Sequence, residues 1–284
     1  MTVQPFRSVL YIPGSKVRAI EKAKSLPVDA IIFDLEDAVS PEEKESARET
    51  LASALAEGGF GHRFTIVRIN GLDTIWGTAD ARAVADMACD AVLLPKVEGP
   101  EQIDRLAGLI GTDRAVWAMM ETPLGMLEAR AIAAHRQLGG MVMGTNDLVK
   151  ELNGRATPDR VAVMTGLGHC VIAAKAHGKV IVDGVYNAFK DEAGLAAECR
   201  QGRDMGFDGK TLIHPAQIDT ANAEFGPSED EIDLARRQIA AYEAAQADGQ
   251  GVAVVDGKIV ENLHVDTARR ILAQAEAIGQ IAAE

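Results

Sequence analysis

Glu121 stands just past a short apolar run at residues 115–119, and Asp147 just past another at 141–143. If both runs are strands of one parallel barrel, the two carboxylates converge at one mouth and can hold a hard divalent cation. An acidic triplet (Asp34, Glu36, Asp37), Arg68 and a Gly144-Thr145-Asn146 turn belong to the same series of strand ends. Such a set suits chemistry in which a cation and an arginine stabilise a developing oxyanion. Two carboxylates with several positions left for water or substrate describe Mg²⁺, and Mn²⁺ fits the same donors. No Cys or His neighbours either acid, which argues against a thiolate or imidazole zinc site. The Gly144-Thr145-Asn146 turn can offer backbone N–H groups to a substrate carboxylate. Lys96 also falls at a strand end and, if desolvated, would support a Schiff-base aldolase instead.

The elements that must place these residues are legible as alternation. Short β-rich runs at 8–12, 30–35, 65–69, 91–94, 115–119, 140–143, 180–182 and 209–213 are separated by helical patterns. These lie at 41–57, 100–109, 124–134, 159–177 and 192–205, with Pro41 and Pro100 at helix starts and Gly178 at a stop. Strands apolar on both faces, with helices between them, predict an α/β (β/α)8 TIM barrel. An open doubly wound sheet is the alternative, but no GxGxxG follows the first strand and there is no P-loop. Residues 1–225 are expected to form the catalytic barrel. Residues 226–284 should form an arm that packs on it or on a neighbouring subunit: a helix over 227–248, a hairpin about Asp256-Gly257, and a second helix. Leu263, Ala268, Ile271, Leu272, Ala275 and Ile278 should make that helix's packing stripe.

With 42 acidic against 29 basic residues, the net charge of −13 disfavours nucleic acid and anionic membrane as partners. The first 28 residues differ: Arg7, Lys16, Arg18, Lys22 and Lys24 face only Glu21, a basic patch able to receive a polyanionic ligand. Cys89, Cys170 and Cys199 lack ligand-like spacing and read as buried thiols of a reducing compartment. Residues 1–6 lack the basic-then-apolar pattern of a secretory signal, and no apolar run approaches a membrane span, so a cytoplasmic location is expected. His135, His169, His177, His214, Trp76 and Trp117 read as packing or surface residues.

Seven ordered stretches resemble the citrate lyase β-subunit-like branch of the HpcH/HpaI aldolase superfamily. They are Arg7-Ser-Val-Leu-Tyr-Ile-Pro-Gly14, Phe33-Asp-Leu-Glu-Asp-Ala-Val39, Val67-Arg-Ile-Asn70, Leu94-Pro-Lys-Val-Glu98, Met120-Glu-Thr-Pro123, Gly144-Thr-Asn-Asp-Leu148 and Ile213-His-Pro-Ala-Gln217. The resemblance is strongest to short, stand-alone members acting on malyl-CoA. It implies a TIM barrel assembled as a homotrimer or homohexamer, with Mg²⁺ on Glu121 and Asp147. Glu36 and Asp37 would hold metal-bound waters, and Arg68 the substrate's carbonyl oxygen. Gly144, Thr145 and Asn146 would join Arg68 and the metal ligands in binding substrate, while Lys16 and Lys22 would meet the phosphates of coenzyme A. An acidic residue on the arm of an adjacent subunit acts in acid–base catalysis in such lyases. It is usually Asp; here the position holds Glu261. The implied reaction is cleavage of a 3-hydroxyacyl-CoA, of malyl-CoA or citramalyl-CoA type, to an acyl-CoA and a 2-oxo acid. The alternative is hydrolysis of the (3S)-malyl-CoA thioester.

Overall fold

A computed structural model describes residues 4–111 and 113–283. The chain forms two compact units, Phe6–Asn222 and a second that gathers residues 4–5 and 223–283.

In the first unit strand and helix alternate: β1 (Ser8–Pro13), α1 (Val17–Ala23), β2 (Ala30–Asp34), α2 (Lys44–Glu57), β3 (Phe64–Arg68), α3 (Gly77–Ala85) and β4 (Ala91–Leu94). There follow α4 (Pro100–Ile110), β5 (Ala115–Met120), the short α5 (Pro123–Leu127) and α6 (Ala129–Ala133), β6 (Leu138–Met143) and α7 (Thr145–Glu151). The series ends with α8 (Met164–Ala176), β7 (Val180–Asp183), α9 (Glu192–Met205) and β8 (Gly209–Leu212), and α10 (Ile218–Phe225) spans the division between the units. Among the described residues the eight strands pair in parallel, each with its sequence neighbour, and β1 closes on β8. The expected closed barrel is therefore the observed one, and the open sheet is excluded.

Side chains alternate across each strand, and the inward row can be followed by parity. Val9, Ala30, Ile32, Ile66, Ala91, Leu93, Trp117, Met119, Val142 and Val182 pack as the barrel interior. At the N-terminal end Phe6 and Phe64 close on Trp117, with ring centroids 5.1 and 5.9 Å from the indole. Continuing the same rows toward the C-terminal ends brings polar groups inward: 30–32–34 ends at Asp34, 64–66–68 at Arg68, and 117–119–121 at Glu121. Asp34 and Arg68 are direct register partners on β2 and β3. The apolar core thus gives way to charge at one level of the barrel.

Two expected helices change at their ends. The helix over 159–177 begins only at Met164, because the backbone turns at Arg160 with φ of +54°. The pattern over 124–134 breaks at Glu128 into α5 and α6.

In the second unit α11 (Glu229–Ala247) starts at a capping box, in which Ser228 accepts from Glu231 N–H and Glu231 reaches back to Ser228 N–H. Strands β9 (Ala253–Val255) and β10 (Lys258–Val260) pair antiparallel about Asp256-Gly257. Both turn residues have positive φ, +51° and +73°, the geometry the Asp-Gly pair favours. Then α12 (Asn262–Ala283) runs alongside α11. Its buried face begins at Val265 and Ala268, whereas Leu263, expected in the stripe, is 60 % exposed. Among the described residues no helix is long and apolar enough to cross a membrane.

Candidate active site

At the C-terminal rim a cavity of about 320 Å³ is lined by Tyr11, Asp34, Asp37, Arg68, Glu121, the 144–147 turn, Asn187 and Ile213 among others. Five of the strand–helix connections contribute. Glu121, Asp147, Arg68, Asp37, Gly144, Thr145 and Asn146, remote in sequence, are brought together here.

Glu121 is buried, and its Oε1 accepts the Lys96 backbone N–H at 2.8 Å. Lys96 presents that amide by adopting φ of +50°. Among the described residues no donor meets Glu121 Oε2. Burial pushes the carboxyl up to about 7, against the pull of the Lys96 N–H and Arg68. Asp147, in the first turn of α7, is partly open to solvent and has the Lys96 ammonium 3.6 Å away, beyond hydrogen-bond distance. Glu36 is likewise pushed up by burial, to about 8, with Asp37, Glu121 and Asp34 adding repulsion that Arg68 only partly offsets. Desolvated carboxylates with uncommitted oxygens are the electrostatic situation a cation relieves. The donors are all oxygen, and among the described residues no three His, Cys, Asp or Glu side chains are placed to hold one metal ion together. Glu121 and Asp147 therefore fit a hard ion that takes one or two carboxylates and fills its remaining positions with water and substrate.

Glu121 is kept in place by what Gly144 lacks. A Cβ at position 144 would fall on the Glu121 side chain. The Gly144 N–H is already given to Met120 O at 2.9 Å, so this residue supplies space to the site and not the expected donor.

Arg68 is buried and more constrained than its sequence position implies. Asp34 grips it with two bonds, from Nε at 2.7 Å and Nη2 at 2.6 Å. Nη1 lies 2.9 Å from Glu36 Oε2, without hydrogen-bond alignment, and 3.4 Å from Asp37. The guanidinium also stacks 5.0 Å above Tyr11. These contacts leave the second hydrogen of Nη2 for a ligand. Sequence reasoning named Asp34 in the acidic triplet without its pairing to Arg68, and left Tyr11 out. Strand parity would have found both, since Tyr11 follows Val9 and Asp34 follows Ile32 on the inward rows. Asp34 also accepts the backbone N–H groups of Glu36 and Ala38, fixing the acidic loop. The buried Lys44 clamps the same loop by donating to Leu35 O and Glu36 O.

Lys96 does not meet the requirement for a Schiff-base nucleophile. Its ammonium is about half exposed, and although burial pulls its pKa down, Asp147 and Glu121 outweigh that and raise it. A lysine that forms imines needs the opposite. The basic N-terminal patch is also largely neutralised: Arg7 pairs with Asp29 at 2.7 Å, Lys16 with Glu43 at 3.2 Å, and Lys24 with Glu21 and Glu57. Lys16 lies just beyond the end of β1, at the rim. Lys22 lies in the last turn of the seven-residue α1, about 10 Å further along a helix that runs back from the rim. Glu261 belongs to the second unit, where it is exposed, and its backbone N–H is accepted by His264 Nδ1 at 3.0 Å. His214 has a structural role: its ring accepts Ala216 N–H and stacks on Phe189.

Comparison with known proteins agrees with this geometry. Residues 7–215 match the family model described as HpcH/HpaI aldolase/citrate lyase. A protein of Cereibacter sphaeroides named (3S)-malyl-CoA thioesterase is 65% identical over 274 residues, 96% of each chain. The citrate lyase subunit beta of Escherichia coli K12 is 35% identical, over 96% of this chain and 94% of that one. Among solved structures, CitE from Mycobacterium tuberculosis, in complex with magnesium, acetoacetate and coenzyme A, superposes with a TM-score of 0.80. It is 31% identical, with 96% of this chain and 98% of that one covered. With seven ordered motifs, a closed barrel and two carboxylates at its rim, this chain belongs to the HpcH/HpaI aldolase/citrate lyase family.

Proposed function

We propose that the protein is a Mg²⁺-dependent enzyme acting on a coenzyme A thioester of a 3-hydroxy acid of malyl type, and that it hydrolyses the thioester. The observation that carries the reading is the facing of Glu121 and Asp147 across one cavity, each with carboxylate oxygen free of protein donors. The 65% identity to a protein named (3S)-malyl-CoA thioesterase supports the substrate class and the hydrolytic outcome. Mg²⁺, for which Mn²⁺ is a chemical substitute, would be held by these two side chains and would polarise the substrate's hydroxyl and carboxylate oxygens. Glu36 and Asp37 flank that position and can accept hydrogen bonds from its waters.

Arg68 serves the thioester end. Asp34 and Tyr11 fix its guanidinium, so its remaining N–H lies ready where negative charge develops on the thioester oxygen. Pre-orientation means no reorganisation at the moment of reaction. Glu261 is assigned proton transfer from the arm, in cis or from a neighbouring subunit. Lys16, at the rim, is assigned to the coenzyme A phosphates, and Lys22, expected beside it, is not, since α1 carries it away from the rim.

Carbon–carbon cleavage to an acyl-CoA and a 2-oxo acid, which the sequence alone placed first, is the second reading. The citrate lyase β relatives favour it, and Arg68 would stabilise the thioester enolate as well as a tetrahedral oxyanion. Glu261 separates the two. A carboxyl displaced by about one bond length can cost ~10²-fold in a proton transfer. Glu261→Asp is therefore expected to raise glyoxylate formation relative to hydrolysis.

A homotrimer or homohexamer in the cytoplasm is part of the proposal. Cys89, Cys170 and Cys199, none of them in a disulfide, accord with a reducing compartment. Light scattering on the purified protein checks the assembly. The functional test is incubation with malyl-CoA and Mg²⁺, assaying malate with free coenzyme A against glyoxylate with acetyl-CoA. Activity surviving EDTA, with borohydride trapping a lysine adduct of pyruvate, overturns the reading.

A further inference from the structure

A second cavity, of about 520 Å³, lies directly beside the reaction cavity, and the two share four lining residues: Thr145, Asn146, Val185 and Asn187. The partition is narrow and specific. Asn187 Nδ2 donates to Asn146 Oδ1 at 2.8 Å, and Asn146 Nδ2 returns to Asn187 Oδ1 at 3.3 Å. Asn146 immediately precedes Asp147 on α7, while Asn187 sits in the loop after β7.

The backbone on the β7 side is pinned close to Asn187. Lys210 Nζ donates to Gly184 O at 2.6 Å, Gly184 N–H to Asp183 Oδ1 at 2.8 Å, and Gln217 Nε2 to Tyr186 O at 2.9 Å. A Cβ on Gly184 would strike Thr145, so loop and helix approach as closely as backbone permits. What can move is the amide pair itself. Both side chains are exposed, and each can exchange its partner for water at little net cost.

Beyond the partition, aliphatic Val149, Ala162, Val163 and Ala197 line the cavity together with Tyr186, Glu198 and Gln201, and two arginines line it as well. Arg160 is 7% exposed. It gives Nη1 to Asp183 and Nε to Gln201, while its buried Nη2 has no acceptor. Arg155 lines the same cavity from its exposed side. Aliphatic side chains beside the exposed Arg155 suit a methylene chain that ends in a carboxylate, the Arg160 charge being matched by Asp183 and Glu198.

We propose that the Asn146–Asn187 pair is a door between the reaction cavity and an acyl-extension compartment, which receives carboxylate-terminated chains longer than that of malate. With the door shut, the four-carbon acid is the favoured substrate. With it open, longer 2-oxo or 3-hydroxy diacids enter. The inference rests on the proposed substrate class, but its test separates the two.

The test uses Asn187→Ala in the full-length protein, Asn187 being exposed and outside the strands and helices. Dissociation constants are measured by calorimetry in Mg²⁺ for oxaloacetate, 2-oxoglutarate and 2-oxoadipate, with 2-oxohexanoate as the monoacid of equal length. Relative to oxaloacetate, the variant should gain about 10-fold for 2-oxoadipate, the scale of a methylene-sized fit, and less for 2-oxohexanoate. Unchanged ratios, equal gains for the monoacid, or no binding by either protein overturn the door. Malyl-CoA turnover by the wild type is assayed in parallel. Its absence beside an intact 10-fold shift overturns the reaction assignment and leaves the door standing.

Discussion

Two acid–base register pairs join neighbouring strands of this barrel, and they face opposite ways. Asp183 and Lys210, on β7 and β8, lie on the outward row, since Val180 and Val182 take the inward one. Arg160 and Glu198 complete that set: Asp183 accepts two bonds from Arg160 at 2.7 and 2.8 Å and one from Lys210 at 3.1 Å, and Lys210 reaches Glu198 at 2.6 Å. Two cations meet two anions, all buried or nearly so, and the charge closes. Asp34 and Arg68, on β2 and β3, lie on the inward row and open onto the cavity. There, among the described residues, Asp34, Glu36, Asp37, Glu121 and Asp147 stand with Arg68, Lys96 and, on the backbone of the acidic loop, Lys44, so carboxylates outnumber cations. A balanced cluster holds strands and loops together. A cluster with surplus charge of one sign is under electrostatic load until a ligand of the other sign arrives, as expected of a binding site.

The sharpest way to break this comparison is to cut each cluster in turn. Asp147→Ala and Glu121→Gln should reduce Mg²⁺-dependent turnover by more than the ~10- to 100-fold that losing an outer partner of a metal ligand costs. Their circular dichroism should match the wild type and their metal-free melting temperature should be no lower, because both remove repulsion and no buried pair. Undiminished turnover in either variant ends the ligand assignment. Asp183→Asn should do the reverse. It leaves the buried Arg160 and Lys210 with Glu198 as their one remaining anion among the described residues, a loss of about 3–5 kcal/mol, or roughly 10 °C in a chain of this size. Turnover per folded molecule, measured well below the transition, should stay within about tenfold of wild type, a range set by what is asked of a structural charge rather than a reacting one.

Acidity should separate the clusters by sign. Glu121 and Glu36 have folded-state values near 7 and 8, above the ordinary 4.5 of an unfolded chain, so the folded protein holds their protons more tightly. Their contribution is fully present below pH 4.5 and is lost as pH rises toward 7 or 8 in metal-free protein. Asp183 is shifted the other way: burial alone would raise it, but Lys210 and Arg160 bring it below its ordinary value. Its contribution is present at neutral pH and is lost on acidification below the unfolded value of 3.8. Mg²⁺ should therefore raise the melting temperature more at pH 8 than at pH 5.5, approaching ~2.7 kcal/mol of stabilisation at a hundredfold excess over its dissociation constant. Glu121→Gln should flatten that pH dependence. A Mg²⁺ shift of equal size at both pH values would contradict the charge-surplus account.

The comparison also explains what was readable beforehand. Apolar runs with helices between them specified the barrel, because a strand buried on both faces has few other homes. Glu121 and Asp147 were readable because each acid follows directly on such a run. Asp34 as the partner of Arg68, and Tyr11 beneath it, depend on register, and register emerges only when strands pair. Neither the door at Asn187 nor the Arg160 network could be found by spacing, since their contacts cross 41 or 23 positions of chain and begin in loops. The pairing of the N-terminal basic patch was hidden for the same reason. Its neutralising acids, Asp29, Glu43 and Glu57, lie outside the window that looked basic.

That correction yields the smallest expected effect. If charge placement and not charge count decides ligand binding, Lys16 and Lys22 must differ although sequence treats them alike. Lys16 stands at the rim, held by Glu43 in an exposed pair that a polyanion can displace. Lys22 is carried away from it along α1. Lys16→Ala should raise KM for malyl-CoA about 2- to 5-fold, the scale of one exposed ion pair, and weaken the salt dependence of kcat/KM, while Lys22→Ala leaves both unchanged. Measuring KM at low and at physiological ionic strength decides it, because screening acts on long-range attraction and spares contacts made inside the cavity. Equal effects from the two lysines would mean that the phosphates of coenzyme A sense the diffuse charge of the whole N-terminal segment, and that position on the rim carries no weight.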